Sequence, residues 1–422
     1  MKFNKWTVGL AAVGLVSLTS AARADEKPSA VQTALSNTTI SGDVSASANV
    51  GLTQNYANSP AAGIDFQKGK LNGFNLDVVK LSIAKPEDES PWASGYQVDL
   101  LFGPDAVGYN NVVGGGTGLG TAGNTAGGDF AIKQAYVSLR TPVGNGLDWK
   151  IGVFDSPLGY ESFDGNPNYT RSYGYAIEPT ELTGVEASYK FSDAISATGG
   201  VADTSSAGIN NRNYDAGLVK SQWHEAYFGD VTLTAPSSWG WLSGSALTAG
   251  MLYGGVDTLG GGFTPAPHTY TYMGGNQVNY YAGLTLNTPW KQLTTGVAFD
   301  YVRNLGGGYQ AVGGGTAQDI DEQAYGLYAT YKATDKLSFN ARGEYVEGDA
   351  YNNETYQGSV NLVELTGTVE YDLWANVVSR LEIRWDQNMS GKKSVDLTES
   401  GLSSPAIERE SVGLYANVVY KF

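Results

Sequence analysis

Residues 147–191 read LDWKIGVFDSPLGYESFDGNPNYTRSYGYAIEPTELTGVEASYKF. The stretch opens on alternation, with Leu147, Trp149, Ile151 and Val153 on one face and Asp148, Lys150, Gly152 and Phe154 on the other. A period of two belongs to a strand whose faces meet different surroundings. It closes the same way, Val185, Ala187, Tyr189 and Phe191 against Glu186, Ser188 and Lys190. Between the two strands lies a segment rich in Gly, Pro, Asn and Tyr, without helical periodicity, carrying Glu161, Asp164, Arg171, Glu178 and Glu181. A connection this long is uncommon unless it is functional or disordered. Loop 155–182 is therefore expected to fold into the bore of a membrane barrel and narrow it.

The same alternation starts at Ile40 and persists to the last residue. Ile40, Val44, Ala46, Ala48, Val50 and Leu52 face one way, and Ser41, Asp43, Ser45, Ser47 and Asn49 the other. About sixteen such segments can be marked, an even number within the range of single-chain barrels. Segment 74–84 changes phase after Val78, which predicts a bulge there. The connections sort by length. Those near 142–146, 192–193, 236–241, 289–291, 333–335 and 374–376 are short, with 86–91 somewhat longer. Those at 54–71, 103–129, 155–182, 203–222, 257–276, 304–320, 348–359 and 387–407 are long. An outer-membrane barrel has this asymmetry, tight turns on the periplasmic side and longer loops outside. Trp92, Trp149, Trp239, Trp241, Trp290 and Trp374 fall at or beside the short turns, where an amphipathic ring settles at headgroup level. The final strand runs Val412, Leu414, Ala416, Val418, Tyr420, Phe422, apolar at every second position and aromatic at its end. In a barrel it must pair with the first strand so that no edge remains.

Composition narrows the chemistry. The chain of 422 residues has 56 Gly, 27 Tyr against 13 Phe, and no Cys. Its mean hydropathy is -0.23, and a barrel stays this inconspicuous because only alternate residues meet lipid. Without cysteine there is no disulfide frame and no thiolate metal site. His224 and His268 are the only imidazoles, so neither a metal centre, a cofactor site nor a catalytic residue set is expected. Residues 1–24 have the form of a secretory signal, with Lys2 and Lys5, an apolar middle from Val8 to Leu18 and the Ala22-Arg23-Ala24 cleavage pattern. Its removal would take the net charge from -16 to -19, which argues against nucleic-acid binding. A short periplasmic lead, 25–39, then precedes a single all-β, antiparallel up-and-down transmembrane barrel over 40–422.

The run Lys150-Ile-Gly-Val-Phe-Asp-Ser-Pro-Leu-Gly-Tyr-Glu161, with Asn168-Tyr-Thr-Arg-Ser-Tyr173 and Thr183-Gly-Val185, resembles the OmpL-like β-barrel porin family of Gram-negative envelopes. The similarity is strongest over 131–191 and continues more weakly in the strand rhythm elsewhere. It implies a bacterial outer-membrane porin, a passive pore for small hydrophilic solutes, and supplies no catalytic set and no named solute.

In such a pore the narrowest section decides permeation. Glu161, Asp164, Glu178 and Glu181, with Arg171, are the candidate constriction, and Arg342, Arg380 and Arg384 the candidate opposing wall. Charges of opposite sign across a narrow aqueous gap set up a field that tunes ion selectivity. The acidic loop and chain lean the expectation toward cations. Expected partners are outer-membrane lipid, small hydrophilic solutes and ions, with a homotrimer as the candidate assembly. Two rivals are a barrel that merely anchors binding or adhesion loops and an outer-membrane lipid hydrolase. The latter needs a Ser/His pair that the sequence does not display. Gly118-Leu-Gly120-Thr-Ala-Gly123 precedes a strand rather than opening a helix, so it is no dinucleotide fingerprint. Asp319, Asp321 and Glu322 lack the spacing of a calcium loop.

Overall fold

In Thr39–Gly51 (β1) Ser45, Ser47 and Asn49 are buried while Ile40, Val44 and Val50 are exposed. This inverts the arrangement of a water-soluble core. A sheet that turns its hydroxyls inward and its valines outward suits a chain whose outer solvent is hydrocarbon. The computed structural model describes residues 37–53, 70, 72–108, 130–205, 209, 225–255, 270–272, 276–305, 309–311, 320–352, 355–390 and 410–422. The signal segment, most of the lead, Trp223, His224, His268, Asp319 and the 118–123 glycines lie outside the described residues.

The strands after β1 are β2 (Gly73–Lys85), β3 (Ser94–Phe102), β4 (Phe130–Thr141), β5 (Leu147–Asp155), β6 (Glu181–Lys190), β7 (Ile195–Ala202), β8 (Ala226–Thr234) and β9 (Ala246–Gly255). They continue as β10 (Tyr270–Tyr272), β11 (Asn276–Asn287), β12 (Leu293–Leu305), β13 (Tyr309–Ala311), β14 (Ile320–Lys332), β15 (Leu337–Asn352), β16 (Thr355–Trp374), β17 (Val377–Asn388) and β18 (Glu410–Lys421). Among the described residues all but β10 and β13 close into one antiparallel barrel of sixteen strands, each paired with its neighbours in sequence. The seam lies between β1 and β18, in register from Asp43↔Lys421 to Gly51↔Gly413. Gly42 and Phe422 exchange both backbone hydrogen bonds there, at 3.0 and 2.9 Å. The terminal aromatic thus seals the cylinder, and among the described residues the barrel has no open edge.

Four details depart from the sequence reading. The bulge in β2 falls at Asp77, one residue before Val78, since Ser45 pairs with Val78 and Ala46 with Leu76. A second, unforeseen bulge inserts Lys133 into β4, because Asp99 pairs with Gln134 and Leu100 with Ile132. Residues 348–352 and 355–359, expected within a long connection, are strand: β15 and β16 stay paired as far as Asn352↔Thr355. Two of the long outer connections meet, as β10 pairs with β13. Short segments such as these carry too little alternation to be read.

Trp92, Trp239, Trp241, Trp290 and Trp374 are exposed at the short turns, and Trp149 donates its indole N–H to Thr141 Oγ1 at 3.1 Å. The turn between β2 and β3 holds Glu87, whose carboxyl is pushed up to about 7 by burial and by the neighbouring Asp148 carboxyl. A carboxyl raised in the folded state keeps a proton that the unfolded chain has already lost. Folding is therefore favoured below the ordinary Glu value, and the advantage is lost as pH rises through about 7. Between those limits the thermal midpoint of the wild type is expected to fall with rising pH. Glu87→Gln should flatten that slope, and an equal slope in both proteins would contradict the assignment.

A loop fastened across the bore: the candidate functional site

Loop 155–182 leaves β5 at Asp155 and enters β6 at Glu181. Pro157, Pro167 and Pro179 interrupt any long helix, and Gly159 and Gly165 adopt φ of 143° and 83°, which side chains with a Cβ rarely tolerate. One helical turn forms, α1 (Tyr173–Ile177), with Ser172 Oγ accepting from Tyr175 N at 2.9 Å. Tyr173 and Ile177 pack on Val302, Ala324, Val346 and Leu362, which face inward from β12, β14, β15 and β16.

The polar contacts of the loop are made with strands far from its own. Tyr160 Oη lies 3.2 Å from Thr285 Oγ1 of β11, and its ring centroid is 4.4 Å from that of Tyr328 on β14. The N–H groups of Tyr169 and Thr170 donate to the Glu382 carboxylate of β17 at 2.5 and 2.9 Å. Those of Tyr173 and Gly174 donate to Glu344 of β15 at 2.7 and 3.1 Å. Tyr169 Oη donates to Asp77 at 2.8 Å, and Ser45, Ser47 and Asn417 also donate to that carboxylate. The bulge in β2 therefore adds an inward acceptor where the loop arrives.

Two guanidinium groups hold the crossing. Arg342 donates to Glu161 Oε1 at 2.8 Å, to the Thr170 carbonyl at 2.8 Å, to the Arg171 carbonyl at 3.2 Å, and to both Glu364 oxygens at 3.1 Å. Arg384 grips Asp386 through Nε and Nη2, reaches the Arg171 carbonyl at 2.5 Å, and lies 5.0 Å from the Tyr173 ring centroid. Both side chains are fully buried. A planar fork of five donors suits such a junction of carboxylates and carbonyls.

Each residue singled out in the sequence has a definite place. Glu161 is on Arg342. Asp164 pairs with Lys80 of β2. Arg171 folds back on its own loop, donating to the carbonyls of Ser162 and Phe163 at 2.6 and 2.5 Å. Glu178 accepts from Tyr160 N at 3.0 Å, and burial, with the nearby Asp300 carboxyl, raises its pKa well above the usual range. Glu181 is fully buried at the start of β6. Arg342 and Arg384 meet the loop directly rather than across a water gap, because its carbonyls and Glu161 lie within hydrogen-bond reach. Arg380, the third residue expected on the opposing wall, is engaged by its own neighbour. It pairs with Glu370 at 2.7 Å, since the register sets that carboxylate directly opposite it on β16. Asp321, weighed for a cation, lies 3.3 Å from Arg303.

The alternation alone did not single out Asp77, Lys80, Tyr160, Tyr169 or Glu364. It also passed over the inward glycines that seat the loop. A Cβ on Gly250 would lie 2.4 Å from Leu158 Cδ2, one on Gly283 3.1 Å from Tyr160 Cδ2, and one on Gly296 1.7 Å from Tyr160 Oη. The available signal was glycine at inward positions of otherwise regular strands, which marks a close approach.

Residues 38–422 match the family described as "Putative beta-barrel porin-2, OmpL-like". The chain belongs to that family. The match extends well beyond 131–191, where the resemblance was strongest in the sequence. This protein is thus an outer-membrane porin channel. No curated protein matches the porin in sequence. Among solved structures it is similar to the outer membrane channel DcaP of Acinetobacter baumannii, with 13% identity, TM-score 0.55, and 91% of this chain and 97% of that one covered. It is similar to an anion-selective porin from Comamonas acidovorans, with 11% identity, TM-score 0.55, and 91% and 99% covered. In vitro folded OmpT of Vibrio cholerae, in trimer form, matches at 12% identity and TM-score 0.54, with 91% and 99% covered. At these identities the likeness is one of fold.

Proposed function

We propose that the porin is a passive diffusion channel for small hydrophilic solutes and ions, weakly cation-preferring, non-enzymatic and assembled as a homotrimer. The observation that carries this reading is loop 155–182 bound to inward side chains on the far side of the barrel, so that solutes must pass where it lies. Its carboxylates support the cation preference. Glu161 and Asp164 have cationic partners, whereas Glu178, held protonated by its raised pKa, stands beside a second carboxyl, Asp300, and leaves that pair one negative charge. A surplus of acid at a narrow aqueous section favours cations. The trimeric form of a neighbour in fold supports the assembly.

Liposome swelling with neutral solutes of increasing size, together with the reversal potential across a KCl gradient, tests the proposal. Entry of small solutes, a sharp size limit and a potential displaced toward the cation value are expected. Removing Glu161 and Glu178 together should weaken the cation preference. Liposomes that stay impermeable, or a preference unchanged in that variant, would overturn it.

A further inference from the structure

On the periplasmic side of the loop, the inner wall of β5 to β8 carries charges that the loop contacts described above do not use. Lys150 stands opposite Glu186 across β5 and β6, and Asp230 stands opposite Thr198 across β7 and β8. Lys150 Nζ donates to Glu186 Oε1 at 2.8 Å. The second oxygen of Glu186 and Oδ2 of Asp230 have no hydrogen-bond partner among the described residues. These two residues are only 2% and 5% exposed. Around them lie hydroxyls, Ser188 with Thr198 at 3.2 Å and Thr232 with Thr248 at 2.8 Å. Glu186 is within electrostatic reach of Asp230, so the wall offers two neighbouring acids and several neutral acceptors to a passing ammonium.

A buried carboxylate oxygen without a donor is costly, because it has lost its water and gained nothing in exchange. A permeating group that brings N–H donors and positive charge relieves that cost; a chloride or a neutral apolar solute does not. Lys150 already exhibits the group that fits. Its side chain is 33% exposed, so its ammonium can swing into the bore and leave Glu186 to another. A primary ammonium carries three donors, enough for a carboxylate oxygen and the hydroxyls beside it.

We propose that Glu186 and Asp230 form a binding station for the primary ammonium group of small organic cations, which displaces Lys150 Nζ from Glu186 as they pass. The station rests on the reading of the protein as a cation-preferring pore and adds a solute class to it. No covalent step is involved; one ammonium exchanges for another on the same carboxylate.

Block of the potassium current by n-butylammonium in planar bilayers tests the station, with tetramethylammonium, which has the charge but no N–H, as the comparison. The wild type should be blocked by n-butylammonium at lower concentration than by tetramethylammonium. Glu186→Gln together with Asp230→Asn should raise the half-blocking concentration about tenfold, the scale of one charge-assisted hydrogen bond. Lys150→Met removes the internal competitor and should lower it about threefold, as a competent site becomes more populated. Equal block by the two ammonium ions, or no change in either variant, overturns the station while leaving the pore intact. Should the double variant fail to form a heat-modifiable barrel, Lys150→Met decides alone, and unchanged block there overturns the station. A wild type that conducts no current, or that shows no cation preference, overturns the pore reading and the station together.

Discussion

Arg342→Ala is expected to free loop 155–182 and to raise single-channel conductance about twofold or more, since a pore's current is set at its narrowest section. The size follows from what the guanidinium does. Its donors serve Glu161, Glu364 and the carbonyls of Thr170 and Arg171, and its side chain is wholly buried. An exposed ion pair contributes little, but deleting one member of a buried network costs about 3–5 kcal/mol because the others are left charged and unpaired. Glu161, Glu344 and Glu364 would then face one another without their common counter-charge. The loop is held by other contacts too, so the barrel should still form while the crossing loosens. Arg342→Lys should behave like the alanine variant, since an ammonium cannot span carboxylates and carbonyls in one plane. Unchanged conductance in both variants would mean that this arginine does not hold the constriction.

Gly296→Val is expected to expel Tyr160 from its seat. A Cβ at this position would lie 1.7 Å from the phenol oxygen and 2.5 Å from Cζ, so the ring cannot stay where it packs, tilted, on Tyr328 and meets Thr285. Overpacking of this kind costs about 1–3 kcal/mol. If the clash is with Tyr160 alone, Gly296→Val with Tyr160→Ala should cost less than the sum of the two single changes, which a double-mutant cycle on thermal stability measures. Strict additivity would place the effect in the strand rather than in the seat of the loop.

What could be read from the sequence, and what could not, separates along physical lines. Facing is local. A period of two sorts Asp99, Glu186, Asp300, Glu344 and Asp386 onto the inner wall, where all are buried, and sets Val44, Ile151 and Leu381 outward, where all are exposed. Closure was legible too, from Phe422 at the end of an alternating strand. Partner choice is not local. Arg342 and Glu161 are 181 residues apart and Tyr169 and Glu382 are 213 apart, so no window of sequence contains both members. Arg380 pairs locally instead, because the register sets Glu370 directly opposite it on the next strand. The hairpin of β15 and β16 was cut short in the reading because Gly348, Asn352 and Asn353 carry turn composition, while strand pairing continues through the first two.

The central claim is that a closed cylinder, apolar outside and polar within, carries ions through a bore narrowed by loop 155–182. Single-channel recording of the purified, refolded protein in planar lipid bilayers tests it most directly. Discrete and stable conductance steps are expected, small in the wild type and larger in Arg342→Ala. A bilayer that stays electrically silent although the folded barrel has inserted, or steps of the same size in both proteins, would contradict it.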